Sequence, residues 1–217
     1  MYFTSRIEAG YRLAMSLLDY RYDDCIVVAL NDGGVQVGQQ IASALHCELT
    51  MMLIESIDIP GEGEVFGSMN QSGRFVYNGM FSVGEIEAFY NEYHGYLEDQ
   101  KRVTMSKMNK LLGAGGIVDE SRVRNRVVIV VSDGLPHGAS LDAAADFFKP
   151  ISIKKLIIAT PIASVEAVDR MHIVGDELKV LGVTDNYFDT DHYYEVNDIP
   201  DREMTIATLN EIILNWH

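Results

Sequence analysis

Three side chains within eight residues could do chemistry together: Asp133, His137 and Ser140, in the stretch Arg126 to Pro150. A carboxylate can hold sugar hydroxyls or face developing positive charge. A hydroxyl and an imidazole beside main-chain N–H groups can hold an anion. The surrounding residues suit that use. Val127 to Val131 is a short β-branched run, the pattern of a strand covered on both faces of a parallel sheet. It stops at Ser132-Asp133-Gly134, passes through Leu135-Pro136-His137-Gly138 and restarts with Leu141, Ala144, Ala145 and Phe148 at helical spacing. A strand, a glycine-bounded turn and a helix N-terminus gather N–H groups and a helix dipole around an anion. Asp133 falls at the carboxyl end of the strand, where open α/β sheets bind ligands. The alternative is an ordinary β-to-α turn, with His137 a loop side chain facing water.

A second unit repeats the pattern. Cys25 to Leu30 is a buried-strand run, followed by Asn31-Asp32-Gly33-Gly34 and a helix from Val35 to His46. Two such units predict a parallel α/β sheet with two ligand-facing loops. Gly33 and Gly34 permit close approach of backbone to a phosphate. Asp32 beside them opposes a pyrophosphate unless a metal ion intervenes.

The remaining elements frame these loops. Residues 4–20 read as an amphipathic helix with a Ser5/Glu8 capping box and an apolar stripe of Ile7, Tyr11, Leu13, Ala14, Leu17 and Leu18. Glu48 to Ile54 is a third strand, and residues 58–63 read as a loop. Val65 to Met69 and Arg74 to Tyr77 form a hairpin about Asn70 to Gly73. Phe81 to Leu112 is a long helix with a Ser82/Glu85 capping box, a break expected at Gly95 and an apolar side that includes Tyr90, Tyr93, Tyr96, Met105, Met108 and Leu111. Gly113 to Gly116 reads as a joint. Arg122, Arg124 and Arg126 share one side if Val118 to Arg126 is extended. Strands follow at Lys155 to Thr160 and Lys179 to Val183, with Ser164 capping a short helix between them. Residues 184–203 are acidic and aromatic, and Thr205 to Trp216 closes as a helix.

Composition bounds the function. The 217 residues carry 17 basic and 32 acidic side chains, a formal charge of −15. That excludes a nucleic-acid or anionic membrane surface as the main partner. The sequence offers no signal pattern and no membrane-length apolar run, so a cytoplasmic protein is expected. Cys25 and Cys47, the only cysteines, read as buried thiols. There is no GxGxxG, GxxxxGK[ST] or GxSxG motif, and the six histidines show no metal-ligand spacing. Asp189, Asp191 and His192 read as solvated side chains, not a metal site.

The loop from Val130 to Ser140 resembles the phosphate-binding loop of the type I phosphoribosyltransferases, with Asp133, Gly134, Gly138 and Ser140 in register. Ser132 stands where that family has a first acidic residue, and His137 where it has a hydroxyl. The Gly33, Gly34, Val35, Val37, Gly38 loop is similar to the family's pyrophosphate loop, with Asp32 in the place of its usual cation. Glu55 and Ser56 replace a cationic pair. The resemblance implies one domain over residues 1–217: a mainly parallel sheet flanked by helices, with a flap and long-helix elaboration at about 55–116.

It also implies a ligand, phosphoribosyl pyrophosphate or a nucleoside monophosphate, and Mg²⁺ as cofactor. Asp133 would be the catalytic or ribose-binding carboxylate. Gly33, Gly34, Ser132, Gly134, Leu135, Pro136, His137, Gly138, Ala139 and Ser140 would bind substrate. Transfer to a nucleobase-like acceptor and a homodimer follow from the resemblance, with Tyr187 or Phe188 as candidates to stack on the acceptor base; the residues themselves read more simply as a packed tail. The departures leave open a non-catalytic nucleotide-sensing or protein-interaction module of the same fold. If Asp133 serves a ligand, Asp133→Asn is expected to weaken binding and leave thermal stability unchanged.

Overall fold

A computed structural model describes residues 2–112 and 117–214 of the chain. The joint expected at Gly113 to Gly116 lies outside the described residues. Five parallel strands form the central sheet in the order β2-β1-β6-β7-β8: β1 (Cys25–Ala29), β2 (Glu48–Met51), β6 (Val127–Val131), β7 (Lys155–Ser164) and β8 (Glu177–Thr184). Every residue of β1 and β6 is buried, as β-branched runs between two helical layers require.

Side chains alternate between two cores. Ile26, Val28, Val128 and Val130 face α5 (Ala139–Phe148) and α6 (Val165–Val174). Val27, Ala29, Ile129 and Val131 share a core with residues of α1 (Arg6–Ser16) and α2 (Asp32–Leu45). The chain leaves β1 toward β2 by one crossover and reaches β6 on the other side. The strand order therefore reverses between β1 and β6, and the loops at their carboxyl ends meet across that reversal.

A second sheet is antiparallel: β3 (Ile54–Asp58), β4 (Val65–Asn70) and β5 (Phe75–Tyr77). It packs on α5 and on α3 (Val83–Leu112), within the stretch where the elaboration was placed. Its aromatic core centres on Phe66, ringed by Phe75, Tyr77, Phe81 and Phe89. Ser82 and Glu85 cap α3 reciprocally, as the sequence predicts.

Several expectations are corrected. The third strand divides: Ile54 opens a strand of the second sheet instead of closing β2, and Asp58 ends that strand before the loop, because Glu55 to Ile57 pair with Gly67 to Met69. The irregularity in α3 falls at Tyr93, not Gly95. Glu120–Val123 is a short helix, α4, because Asp119 caps it by accepting from the Ser121 N–H, so the three arginines do not alternate along a strand. Helix α2 starts at Asp32 rather than Val35, because Asn31 Oδ1 accepts from the Gly34 N–H. The buried side of α1 is Arg6, Ala9, Gly10, Leu13 and Ala14; Ile7 and Tyr11 are 48% and 60% exposed.

Candidate functional site

The two glycine loops are joined by direct hydrogen bonds. Asn31 Nδ2 donates to Asp133 Oδ1 at 2.6 Å and to Ser132 Oγ at 3.3 Å. The Leu30 N–H donates to the Val131 carbonyl, and Gly34 lies against Val131 and Ser132. Asp133 stands at the carboxyl end of β6, where the sequence places it, but its carboxylate does not face an open cleft. It is 2% exposed. Arg6 Nε donates to its other oxygen at 2.6 Å, and the Tyr194 hydroxyl donates to its carbonyl at 2.5 Å.

Both carboxylate oxygens of Asp133 accept, which fits the ionised form. Burial pushes this carboxyl above its ordinary range, while Arg6 and Asn31 pull it down. Burial works against the charge of Arg6 as well, yet Asp133 and Asp191 outweigh it and hold the guanidinium above its ordinary value. Arg6 also donates to Asp191 Oδ1 at 2.5 Å and Asn197 Oδ1 at 2.9 Å, and lies 4.4 Å over the Tyr194 ring. One arginine from the first helix thus binds the central carboxylate to the acidic, aromatic tail.

The sequence did not assign Arg6 to the site. Its signal was present: Arg6 lies in helical phase with Gly10, Leu13 and Leu17. A cation on an apolar face implies a buried anion elsewhere in the chain.

The turn from Gly134 to Ser140 leads into α5. Its N-cap, Gly138, supplies no side-chain acceptor, so the Ser140 and Leu141 N–H groups of the first turn of α5 can turn to an anion, while that of Ala139 goes to His137. Leu135 is tied back by main-chain bonds to Ile162 and Ser164, and Ser132 Oγ donates to the Gly134 carbonyl. His137 Nδ1 accepts from the Ala139 N–H at 3.3 Å, which leaves Nε2 of this half-buried ring as its other polar atom. Burial lowers its pKa, with Asp58 opposing. The stem of Arg170 crosses Gly138, and its guanidinium pairs with the buried Asp142, which also accepts from the Gly79 N–H.

At the other loop, Arg202 of α7 (Arg202–Leu214) donates from Nε to both oxygens of Asp32 at 2.9 Å and from Nη1 to Glu55 at 3.2 Å. The cation missing from this loop in the sequence is therefore supplied from 170 residues away. Gln36 Nε2 donates to the Asp198 carbonyl, so the tail also crosses the start of α2. Tyr187 and Thr190 crowd the space over Gly134, where a β-carbon would overlap both. Phe188 is 77% exposed, with its ring against His192. Gly33 and Gly34 are buried beneath these contacts: a β-carbon on Gly33 would overlap Asp133 and Arg6.

Among the described residues, no three His, Cys, Asp or Glu side chains converge to hold a metal ion. The acids nearest the loops are committed to arginines: Asp133 to Arg6, and Asp32 to Arg202. This donor set does not fit a resident Mg²⁺. No helix among the described residues is long and apolar enough to cross a membrane.

Residues 5–188 match the phosphoribosyl transferase domain, and the chain belongs to that family. Two Mycobacterium tuberculosis relatives, each named "Putative phosphoribosyl transferase", are 24% identical over 188 residues. That match covers 86% of this chain but only 41% of theirs. The crystal structure of TT1426 from Thermus thermophilus superposes with a TM-score of 0.73 at 27% identity, over 97% of this chain and 99% of that one. The AQ2163 protein of Aquifex aeolicus shares the fold, with a TM-score of 0.52 at 13% identity, over 87% and 83% of the two chains.

Proposed function

We propose that the chain binds a ribose 5-phosphate group, as phosphoribosyl pyrophosphate or a nucleoside 5′-monophosphate. The phosphate would sit on the α5 N-terminus between Gly134 and Ser140. The observation that carries this reading is the α5 N-terminus, whose N-cap Gly138 offers no side-chain acceptor, set beside a carboxylate at the strand-order reversal. Main-chain N–H groups and the Ser140 hydroxyl would hold the phosphate, with His137 at the rim. Asp133, kept ionised by Arg6 and Asn31, would lie beneath the ribose. There it would bind hydroxyls or offset positive charge at the anomeric carbon.

That contact requires the tail about Tyr187 and Thr190 to move off Gly134. Transfer to a nucleobase-like acceptor needs a pyrophosphate seat at Gly33 and Gly34 as well. Mg²⁺ would arrive there on the pyrophosphate oxygens, as part of the substrate.

A second reading, nucleotide binding without transfer, is favoured by the seal over that seat. Asp32 and Glu55 hold Arg202 directly beside it, and Ser132 stands in place of an acid. Calorimetric titration separates the two readings. Binding of ribose 5-phosphate and nucleoside monophosphates, with no heat from pyrophosphate and Mg²⁺, supports the sensor. Release of pyrophosphate from phosphoribosyl pyrophosphate with a nucleobase supports transfer. Silence with every phosphate sinks both.

A further inference from the structure

The end of the central sheet opposite Asp133 carries a second arrangement of reactive groups. Cys25 is the first residue of β1, and Cys47 immediately precedes β2. The two strands pair in parallel with Ile26 beside Glu48, so one step back along the register sets Cys25 beside Cys47. Neighbouring strands lie about 4.8 Å apart, inside the Cα separation of about 4.4–6.8 Å that a disulfide spans.

Both side chains belong to the core shared with α1 and α2, and the Cys25 thiol donates to the Tyr20 carbonyl at 3.7 Å. Both line a cavity of about 520 Å³ with Gln40, His46, Arg122 and Arg126. The cavity reaches both cysteines from solvent, although the residues themselves are only 1% and 8% exposed. Arg126 fixes the strand start by donating from Nη2 to the Cys25 carbonyl at 2.8 Å, and its charge favours the Cys25 thiolate against burial and the charges of Asp23 and Asp24. These are the only cysteines in the chain.

We propose that Cys25 and Cys47 form a reversible dithiol–disulfide site, oxidised by a small hydroperoxide entering the cavity at the amino ends of β1 and β2. The Cys25 sulfur, as its thiolate, attacks the distal peroxide oxygen. The O–O bond breaks, a sulfenic acid forms on Cys25, and the alcohol or water leaves after taking a proton. The Cys47 sulfur then displaces the hydroxyl from Cys25. The S–S bond forms and water departs with the Cys47 proton. Two thiols lose two electrons to one O–O bond, and a dithiol reductant reverses the step. The site shares no residue with the phosphate loops, so it stands whichever reading of those loops holds.

The test is mass spectrometry of the native full chain after hydrogen peroxide, quenched and alkylated with iodoacetamide in denaturant. The wild type is expected to lose about 2 Da and both alkylation sites, to stay monomeric on a non-reducing gel, and to recover with dithiothreitol. Cys25→Ser and Cys47→Ser are each expected to lack the 2 Da loss, and Cys47→Ser to yield a dimedone adduct on Cys25. The inference is overturned if both sulfurs stay alkylatable under peroxide that oxidises free cysteine, if oxidation needs denaturant, or if the only disulfide joins two chains.

Discussion

Arg6 Nε and Asp133 Oδ2 lie 2.6 Å apart across 127 residues of sequence, with both side chains almost wholly buried. The carboxylate that could serve a ligand is therefore also a structural anion. Removing one partner strands the other charge in the interior, at a cost of about 3–5 kcal/mol. Arg6→Met is expected to lower unfolding stability by that amount in a urea titration. Asp133→Asn, expected from sequence to leave stability unchanged, should also be destabilising. Arg6→Met with Asp133→Leu should recover much of the loss, because no charge then remains unpaired.

The glycines differ sharply in what they tolerate. A β-carbon on Gly33 overlaps Asp133 and Arg6, whereas one on Gly84, in the first turn of α3, meets nothing within 4 Å. Gly33→Ala should cost several kcal/mol, about the size of other overpacked cores plus a damaged ion pair. Gly84→Ala should be neutral or stabilising by up to about 1 kcal/mol. Thermal melts of the two variants check this; equal melting points would show that the loop can shift aside.

Arg202 balances Asp32 and Glu55 at a partly solvated site. Its removal should cost about 1 kcal/mol of stability or less. Its effect on anions should be larger. Arg202→Ala leaves two carboxylates beside Gly33 and should weaken pyrophosphate binding about tenfold or more, while Asp32→Asn should strengthen it. Competition titration with pyrophosphate and Mg²⁺ reads both changes.

Burial holds the His137 pKa below its ordinary value. The imidazole is therefore neutral at pH 7 and gains charge only as the pH falls. Two effects follow. Stability associated with the neutral ring is present above the unfolded pKa of about 6.5 and is lost as the pH falls through the lower folded value. Anion binding changes the other way, because the protonated ring attracts the anion. Sulfate, which keeps its charge over this range, should bind more tightly as the pH drops below 7, and His137→Asn should flatten that dependence. Asp58 contributes in the same direction by favouring the protonated ring.

The parts of the fold readable from sequence are those that local chemistry decides. The β-branched runs at Cys25–Ala29 and Val127–Val131 could only be buried strands, and the glycines after them marked the two loops. The Ser82/Glu85 box and the Ser164 cap set helix starts within a few residues of their origin. What stayed hidden depends on partners far along the chain. Arg6 reads as one polar residue in an amphipathic helix until Asp133 and Asp191 are folded against it. Asp32 reads as a repelling charge until α7 brings Arg202 over it. Tyr187, one of two candidates for stacking on a base, takes the packed-tail alternative and lies over Gly134, because the tail folds back across the loop.

The central claim is that a phosphate sits on the N-terminus of α5. It is tested most directly by titrating ribose 5-phosphate calorimetrically into the wild type and into Ser140→Asp. An acidic residue in the first turn suits a helix, so the variant should fold with an unchanged or higher melting point. It also places a fixed carboxylate in the phosphate seat. The account predicts saturable binding to the wild type and a loss of about tenfold or more in the variant. No heat from the wild type, or equal affinity for both proteins, would contradict it.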